Sequence, residues 1–67
     1  MNDLENLPEV TDPPSHEAWE FMVRNTDSHG AIALRLHALY SLGRGNMQWL
    51  EYVALAERVM HERCIRF

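Results

Sequence analysis

Few side chains in this sequence have the types and spacing that metal binding requires. His61 and Cys64 are three residues apart, and Glu57 and His61 are four apart, so either pair could share a helix face. A structural zinc site normally draws four ligands from paired Cys or His spacing, and no second pair follows here. The sequence therefore predicts no metal site and no cofactor, with His61 in solvent and Cys64 small and partly buried.

The run Asp27-Ser28-His29 contains the residue types of a hydrolytic triad. Consecutive side chains do not converge on one point, as a nucleophile, a base and an orienting group must. Asp27 and Ser28 are instead good helix N-caps. Gly43 and Gly45 lack the strand and the further glycines of a phosphate loop, and they predict a turn between helices. We therefore expect no catalytic residue and no enzyme.

Hydrophobic periodicity predicts an all-α fold in which one domain spans residues 15–67. The predicted helices cover about 16–25, 30–42 and 47–66. Ser15 follows two prolines and should cap the first helix. Weak helix formers at residues 24–30 favour a break there, with one long helix from His16 to Leu42 as the alternative.

A short turn at residues 43–46 separates the second and third helices. So short a connection predicts that these two helices form a hairpin, preceded by a short or kinked first helix. Gly43 should close the second helix in the left-handed conformation, and Asn46 should cap the third helix.

Residues 1–14 are predicted to form a disordered acidic arm, because they contain three prolines and little apolar surface. The alternative is a short linear motif that becomes ordered on a basic partner. Residues 1–20 carry six acidic and no basic side chains, whereas residues 21–67 carry four acidic side chains and six Arg. An acidic arm disfavours binding to nucleic acid.

The second helix is apolar around most of its circumference, with only His37 and Ser41 marking a clearly polar strip. One neighbouring helix cannot cover so much apolar surface. A chain of 67 residues with one cysteine also has a small core and no internal disulfide. We therefore predict a homodimer that forms a small helical bundle. The predicted dimer interface consists of Ile32, Leu36, Leu39, Val53, Ala56 and Met60.

Aromatic and Arg side chains near the turn are the candidates for binding another protein, because such residues dominate binding hot spots. The predicted partner-binding residues are Arg35, Tyr40, Arg44, Trp49 and Tyr52. The alternative is a structural role at this end of the helical pair, and for Trp49 we favour the core.

All-helical chains of this size without enzyme motifs are commonly adaptors, antitoxin-like inhibitors or phage-encoded inhibitors of host proteins. We therefore expect a small non-enzymatic regulator or inhibitor that occupies a surface of a larger protein. The alternative is a nucleic-acid-binding regulator of helix–turn–helix or hairpin-dimer type. A purely structural subunit is a third possibility. The chain has neither a spanning apolar run nor a secretory signal, which predicts a cytoplasmic protein.

Overall fold

The structure, a computed structural model, describes residues 12–67. All the regular secondary structure in these residues is helical. The three helices are α1 (His16–Asn25), α2 (Ser28–Gly43) and α3 (Trp49–Glu62). This confirms the predicted all-α fold class. Most of the predicted acidic arm, residues 1–11, lies outside the described residues.

Side-chain caps begin α1 and α2. The Ser15 Oγ accepts a hydrogen bond of 3.1 Å from the Ala18 amide, and the Asp27 Oδ1 accepts one of 2.7 Å from the Gly30 amide. Both caps match those that the sequence predicts. Because Asp27 caps a new helix, the predicted break is confirmed, and the alternative of one long helix is wrong. α2 begins two residues earlier than predicted.

A left-handed glycine ends α2. Gly45 has a φ of 100°, its amide donates to the Leu42 carbonyl at 2.9 Å, and the next amide donates to the Ser41 carbonyl at 3.3 Å. This is the Schellman pattern, which satisfies the last carbonyl groups of a helix. The prediction that Gly43 is the left-handed residue is therefore wrong, since α2 continues through Gly43.

α3 begins at Trp49, two residues later than predicted, after a turn in which the Trp49 amide donates to the Asn46 carbonyl at 3.0 Å. The cap position belongs to Gln48, so the prediction of an Asn46 cap is wrong. The Gln48 side chain donates to the Asp12 Oδ1 at 2.9 Å, and the Tyr52 hydroxyl donates to a carbonyl of the same preceding segment. Residues 12–14 therefore contact the beginning of α3. These contacts lie before residue 15, at which the sequence predicts that the domain begins.

A second Schellman pattern ends α3 four residues earlier than predicted. The Cys64 amide donates to the His61 carbonyl at 3.1 Å, and the Ile65 amide donates to the Met60 carbonyl at 2.8 Å. Here the left-handed position is held by Cys64, with a φ of 59°. Ile65 and Met60 are both buried in the core, which is the apolar contact that accompanies this motif.

α3 contributes most of the core, and it contacts both other helices, whereas α1 and α2 contact each other least. The buried residues of α3 are Trp49, Tyr52, Val53, Ala56, Val59 and Met60. α1 adds Trp19 and Val23, which cover the side of α3 that α2 leaves open. A helix flanked on two sides by its own chain buries a wide apolar stripe.

The side of α2 that is buried carries small residues. Ala31, Ala38 and Ser41 are fully buried, and the Ser41 Oγ donates to the His37 carbonyl at 2.9 Å. Small side chains leave room for the bulky residues of α3, so the two surfaces interdigitate. The predicted polar strip is thus wrong for Ser41, whose hydroxyl is satisfied by its own helix and needs no water.

The two left-handed positions allow a matched test of helix ending. We expect Cys64→Gly to raise the free energy of unfolding by about 1 kcal/mol, because a side chain at positive φ is strained and glycine is not. Gly45→Ala should lower it by about 1 kcal/mol for the same reason. Urea denaturation followed by far-ultraviolet circular dichroism measures the free energy of unfolding of both variants.

Gly43→Ala is the control for this pair. Gly43 lies in the last turn of α2, its φ is not positive, and a Cβ there would meet no atom within 4 Å. Alanine should therefore be neutral or slightly stabilising at this position. A Cys64→Gly variant that is less stable than the parent would contradict the assignment of strain to Cys64.

Candidate protein-binding surface

Two of the predicted partner-binding residues lie in the core. Trp49 is 3% exposed and Tyr52 is 6% exposed. Their rings pack with that of Trp19, with centroids 5.5 to 5.9 Å apart, and the Trp19 Nε1 donates to the Tyr52 carbonyl at 3.0 Å. This corrects the predicted binding set, because the structural alternative describes both Trp49 and Tyr52.

Half of the predicted dimer interface is also buried within the single chain. Val53, Ala56 and Met60 face the core, and none is more than 7% exposed. The physical reason is that α1 and α2 flank α3 on two sides, so these two helices of the same chain cover the apolar stripe of α3. In this fold these three residues are therefore not available to a partner, and the predicted interface is reduced to residues of α2.

α2 turns large apolar side chains away from the core. Leu36 and Tyr40 are each 54% exposed, whereas Ile32 and Leu39 beside them are half-buried and pack against the edge of the core. These positions recur at intervals of three and four residues, so they share one side of the helix. We define the α2 outer face as Ile32, Ala33, Leu36, Leu39, Tyr40 and Arg44.

Arg44 and Tyr40 form a pair at the carboxyl end of this face. The Arg44 Nη1 donates to the Tyr40 hydroxyl at 2.9 Å, and the guanidinium carbon lies 5.7 Å from the ring centroid. That distance is within the range of a cation–π contact. The pair therefore presents a flat ring and a positive charge together at the surface, as binding hot spots commonly do.

Arg35, the remaining predicted binding residue, has a different environment. Its Nε donates to the Glu57 Oε2 at 2.9 Å, and its guanidinium lies 4.4 Å above the centroid of the Phe67 ring. The side chain is mostly buried by these contacts. Arg35 thus links α2 to α3 and to the segment that follows α3, and it lies beside the α2 outer face instead of on it.

An ion-pair network joins α1 to α3. The Arg24 Nε donates to the Glu20 Oε2 at 2.7 Å, and its Nη2 lies 3.3 Å from the Glu62 Oε1. The hydrogen bond from Arg24 lowers the pKa of Glu20 below its usual value. Arg58 lies 3.7 Å from Glu62 and 3.9 Å from Glu20. These Arg side chains are arranged around carboxylates of their own chain, which is not the arrangement of a phosphate-binding stripe.

Within residues 12–67, no three His, Cys, Asp or Glu side chains are placed together as metal ligands would be. His61 and Cys64 are both exposed, which corrects the predicted partial burial of Cys64. They line a shallow depression with Phe67, whose ring lies edge-on to His61 at 5.3 Å. The helices of this part of the chain are all too short or too polar to cross a bilayer.

Comparison with known proteins adds no relative to these observations: no family model, no curated protein and no solved structure matches the chain. The α2 outer face contains Leu36 of the predicted dimer interface together with Tyr40 and Arg44 of the predicted partner-binding residues.

The two tyrosines should respond oppositely to truncation. We expect Tyr52→Ala to lower the free energy of unfolding by about 3–5 kcal/mol, because it removes a buried ring from the aromatic cluster. Tyr40→Ala should change it by only about 0.5 kcal/mol, because that ring lies at the surface. Thermal and urea unfolding of the two variants measure the difference, and equal losses would show that Tyr40 is part of the core.

Proposed function

We propose that this chain is a small non-enzymatic regulator or inhibitor, cytoplasmic in location, that acts by occupying a surface of a larger protein. The observation that carries the proposal is the α2 outer face, where Leu36 and Tyr40 remain more than half exposed. The architecture we propose for this role is a hairpin of α2 and α3 that assembles into a dimeric helical bundle.

The α2 outer face resembles the apolar side of a helix that binds in a groove of its partner. Its apolar residues follow the three- and four-residue spacing by which an amphipathic helix fills an apolar groove of its partner. α2 spans 16 residues, which corresponds to about 24 Å of helix. Complete burial of a Leu side chain contributes roughly 1.5–3 kcal/mol, so the half-exposed Leu36 retains part of that energy for binding.

The Tyr40–Arg44 pair gives the face a polar end. A guanidinium presents several N–H groups in one plane and suits carboxylates of a partner. The partner surface that fits is therefore an apolar groove with an acidic group at one end. An inhibitor of a host protein, encoded by a phage, is a setting that suits a chain of this size and composition.

Affinity capture with designed variants tests the proposal. The immobilised chain should recover one protein in stoichiometric amount from a lysate of the organism in which it acts, and the purified protein should rebind. We expect Tyr40→Ala and Arg44→Ala each to weaken that binding by about tenfold or more, as truncation of a hot-spot residue does. Isothermal titration calorimetry measures the dissociation constants.

Phe21→Ala is the matched control. Phe21 is 67% exposed, on α1, and is therefore an aromatic side chain of similar size on another surface. It should leave binding unchanged. Equal losses in Phe21→Ala and Tyr40→Ala would contradict the assignment to the α2 outer face. Recovery of nucleic acid that weakens steeply with salt would favour the nucleic-acid-binding alternative.

A further inference from the structure

We infer that a second binding site lies where residues 12–16 pack against the beginning of α3, and that it takes a basic segment of another protein. One apolar side chain of that segment enters the site, and an adjacent Arg or Lys pairs with a carboxylate. The site is separate from the α2 outer face, and the inference does not rest on the proposed function. The observation that carries it is the placement of exposed apolar side chains beside carboxylates.

A shallow depression opens between these two parts of the chain. Pro13 lines one side of it, and Met47 and Leu50 line the other. Met47 is 65% exposed and Leu50 is 53% exposed. One turn beyond Leu50, on the same side of α3, Ala54 is exposed as well. An apolar side chain of a partner that enters the depression is therefore removed from water on both sides.

Contacts with α3 hold the segment before α1 in place beside the depression. The Gln48 Nε2 donates to the Asp12 Oδ1 at 2.9 Å, and the Tyr52 hydroxyl donates to the Pro14 carbonyl. The His16 ring stacks on that of Tyr52, with centroids 4.7 Å apart. The walls of the depression are thus formed before a ligand arrives, which reduces the entropic cost of binding.

The formal charges at the depression are negative. Glu51 lines it, and the Glu51 Oε2 accepts a hydrogen bond of 3.0 Å from the His16 Nε2. Asp12 is exposed and lies beside Gln48, which also lines the depression. A carboxylate has about four lone-pair sites on its two oxygens. The hydrogen bond from His16 therefore leaves sites on Glu51 for a guanidinium or an ammonium group.

The Arg side chains of the chain are placed elsewhere, and the sequence contains no Lys. Arg58, the one Arg within α3, lies about 10 Å along the helix from Glu51 and contacts Glu20 and Glu62. Within residues 12–67, neither Asp12 nor Glu51 pairs with an Arg. Charge complementarity therefore selects a basic partner, whereas the phosphates of nucleic acid would be repelled.

A titration followed by nuclear magnetic resonance tests the site. The isotope-labelled full chain is titrated with a short synthetic peptide in which a central Leu is flanked on both sides by Arg. We expect a dissociation constant below about 1 mM, with amide shifts at residues 13–16 and 47–52 and none along the α2 outer face. Shifts centred on the α2 outer face, or no binding at about 1 mM peptide, would overturn the inference.

Two altered peptides separate the apolar contact from the charge contact. A peptide with Glu in place of every Arg should not bind, because it meets carboxylates of the same sign. A peptide with Ser in place of Leu should bind at least about fivefold more weakly. Equal binding of the acidic peptide would refute the charge argument. Equal binding of the peptide without Leu would show a site for cations alone and would also overturn the inference.

Matched variants locate the site on the chain. Leu50→Ala should weaken binding of the basic peptide about fivefold, and Glu51→Gln about threefold, because Gln still accepts from His16 but has no charge. Leu36→Ala is the control for Leu50→Ala, since Leu36 is 54% exposed on the α2 outer face. Glu17→Gln removes the same charge from an exposed position outside the depression. Equal weakening by a control variant would contradict the assignment.

A second copy of the chain is the other occupant that the titration distinguishes. Arg66 and Phe67 place a basic and an apolar side chain together in this sequence. If they filled the depression of another copy, the amides of residues 47–52 would shift on dilution without peptide, and Arg66→Gln would abolish that shift. This result would overturn the assignment to a different protein.

Tyr40→Ala separates the inference from the proposed function. This variant should bind the basic peptide as the parent chain does, because Tyr40 lies on the α2 outer face. Peptide binding by a chain that captures no larger protein would support the second site and count against the proposed function. Loss of peptide binding in Tyr40→Ala would show that the two surfaces are one and would overturn the inference.

Discussion

The structure depends on how the bulky side chains of α3 are covered. Trp49, Val53 and Met60 need apolar neighbours on two sides. The residues of α2 that are fully buried against them are small, and its larger core-packing residues are only partly buried. Ala31 and Ala38 therefore face the core, and the orientation of α2 about its axis is fixed by that fit. Because Ala31 and Ala38 are turned inward, Leu36 and Tyr40, on the opposite side of the helix, are turned outward.

The end of α3 also determines which parts of α2 are covered. The left-handed residue at position 64 turns the chain after α3 so that Ile65 enters the core and Phe67 lies beneath Arg35. That contact covers one edge of α2 and holds Arg35 against Glu57. The edge is thus closed by the chain itself, whereas the α2 outer face is left open. The position at which the chain turns after α3 therefore determines that one edge of α2 is covered and that the α2 outer face is exposed.

Much of this fold could be predicted from the sequence, and the exceptions have physical causes. Ser15 and Asp27 mark helix starts because a side-chain oxygen bonds a nearby amide, which is a local rule. The end of α3 at a left-handed cysteine has no local signal, since glycine usually occupies that position. The sequence predicts a second helix that is apolar around most of its circumference, but which side of that helix faces the core depends on the residue sizes of another helix. The burial of Val53, Ala56 and Met60 depends likewise on α1, whose place beside α3 no local pattern specifies.

The α2 outer face is evidence for a binding function because the packing of the core does not require apolar residues there. Charged side chains make up 24% of this sequence, yet the outward positions of α2 between Asp27 and Arg44 carry none. Glu or Lys at positions 36 and 40 would suit a solvated helix surface and would disturb no buried contact. Exposed Leu and Tyr instead leave an apolar patch, which in a folded chain is a risk for aggregation unless another surface covers it. A chain whose helices needed only to cover one another would not need that patch, and this is the physical reason to assign function to α2.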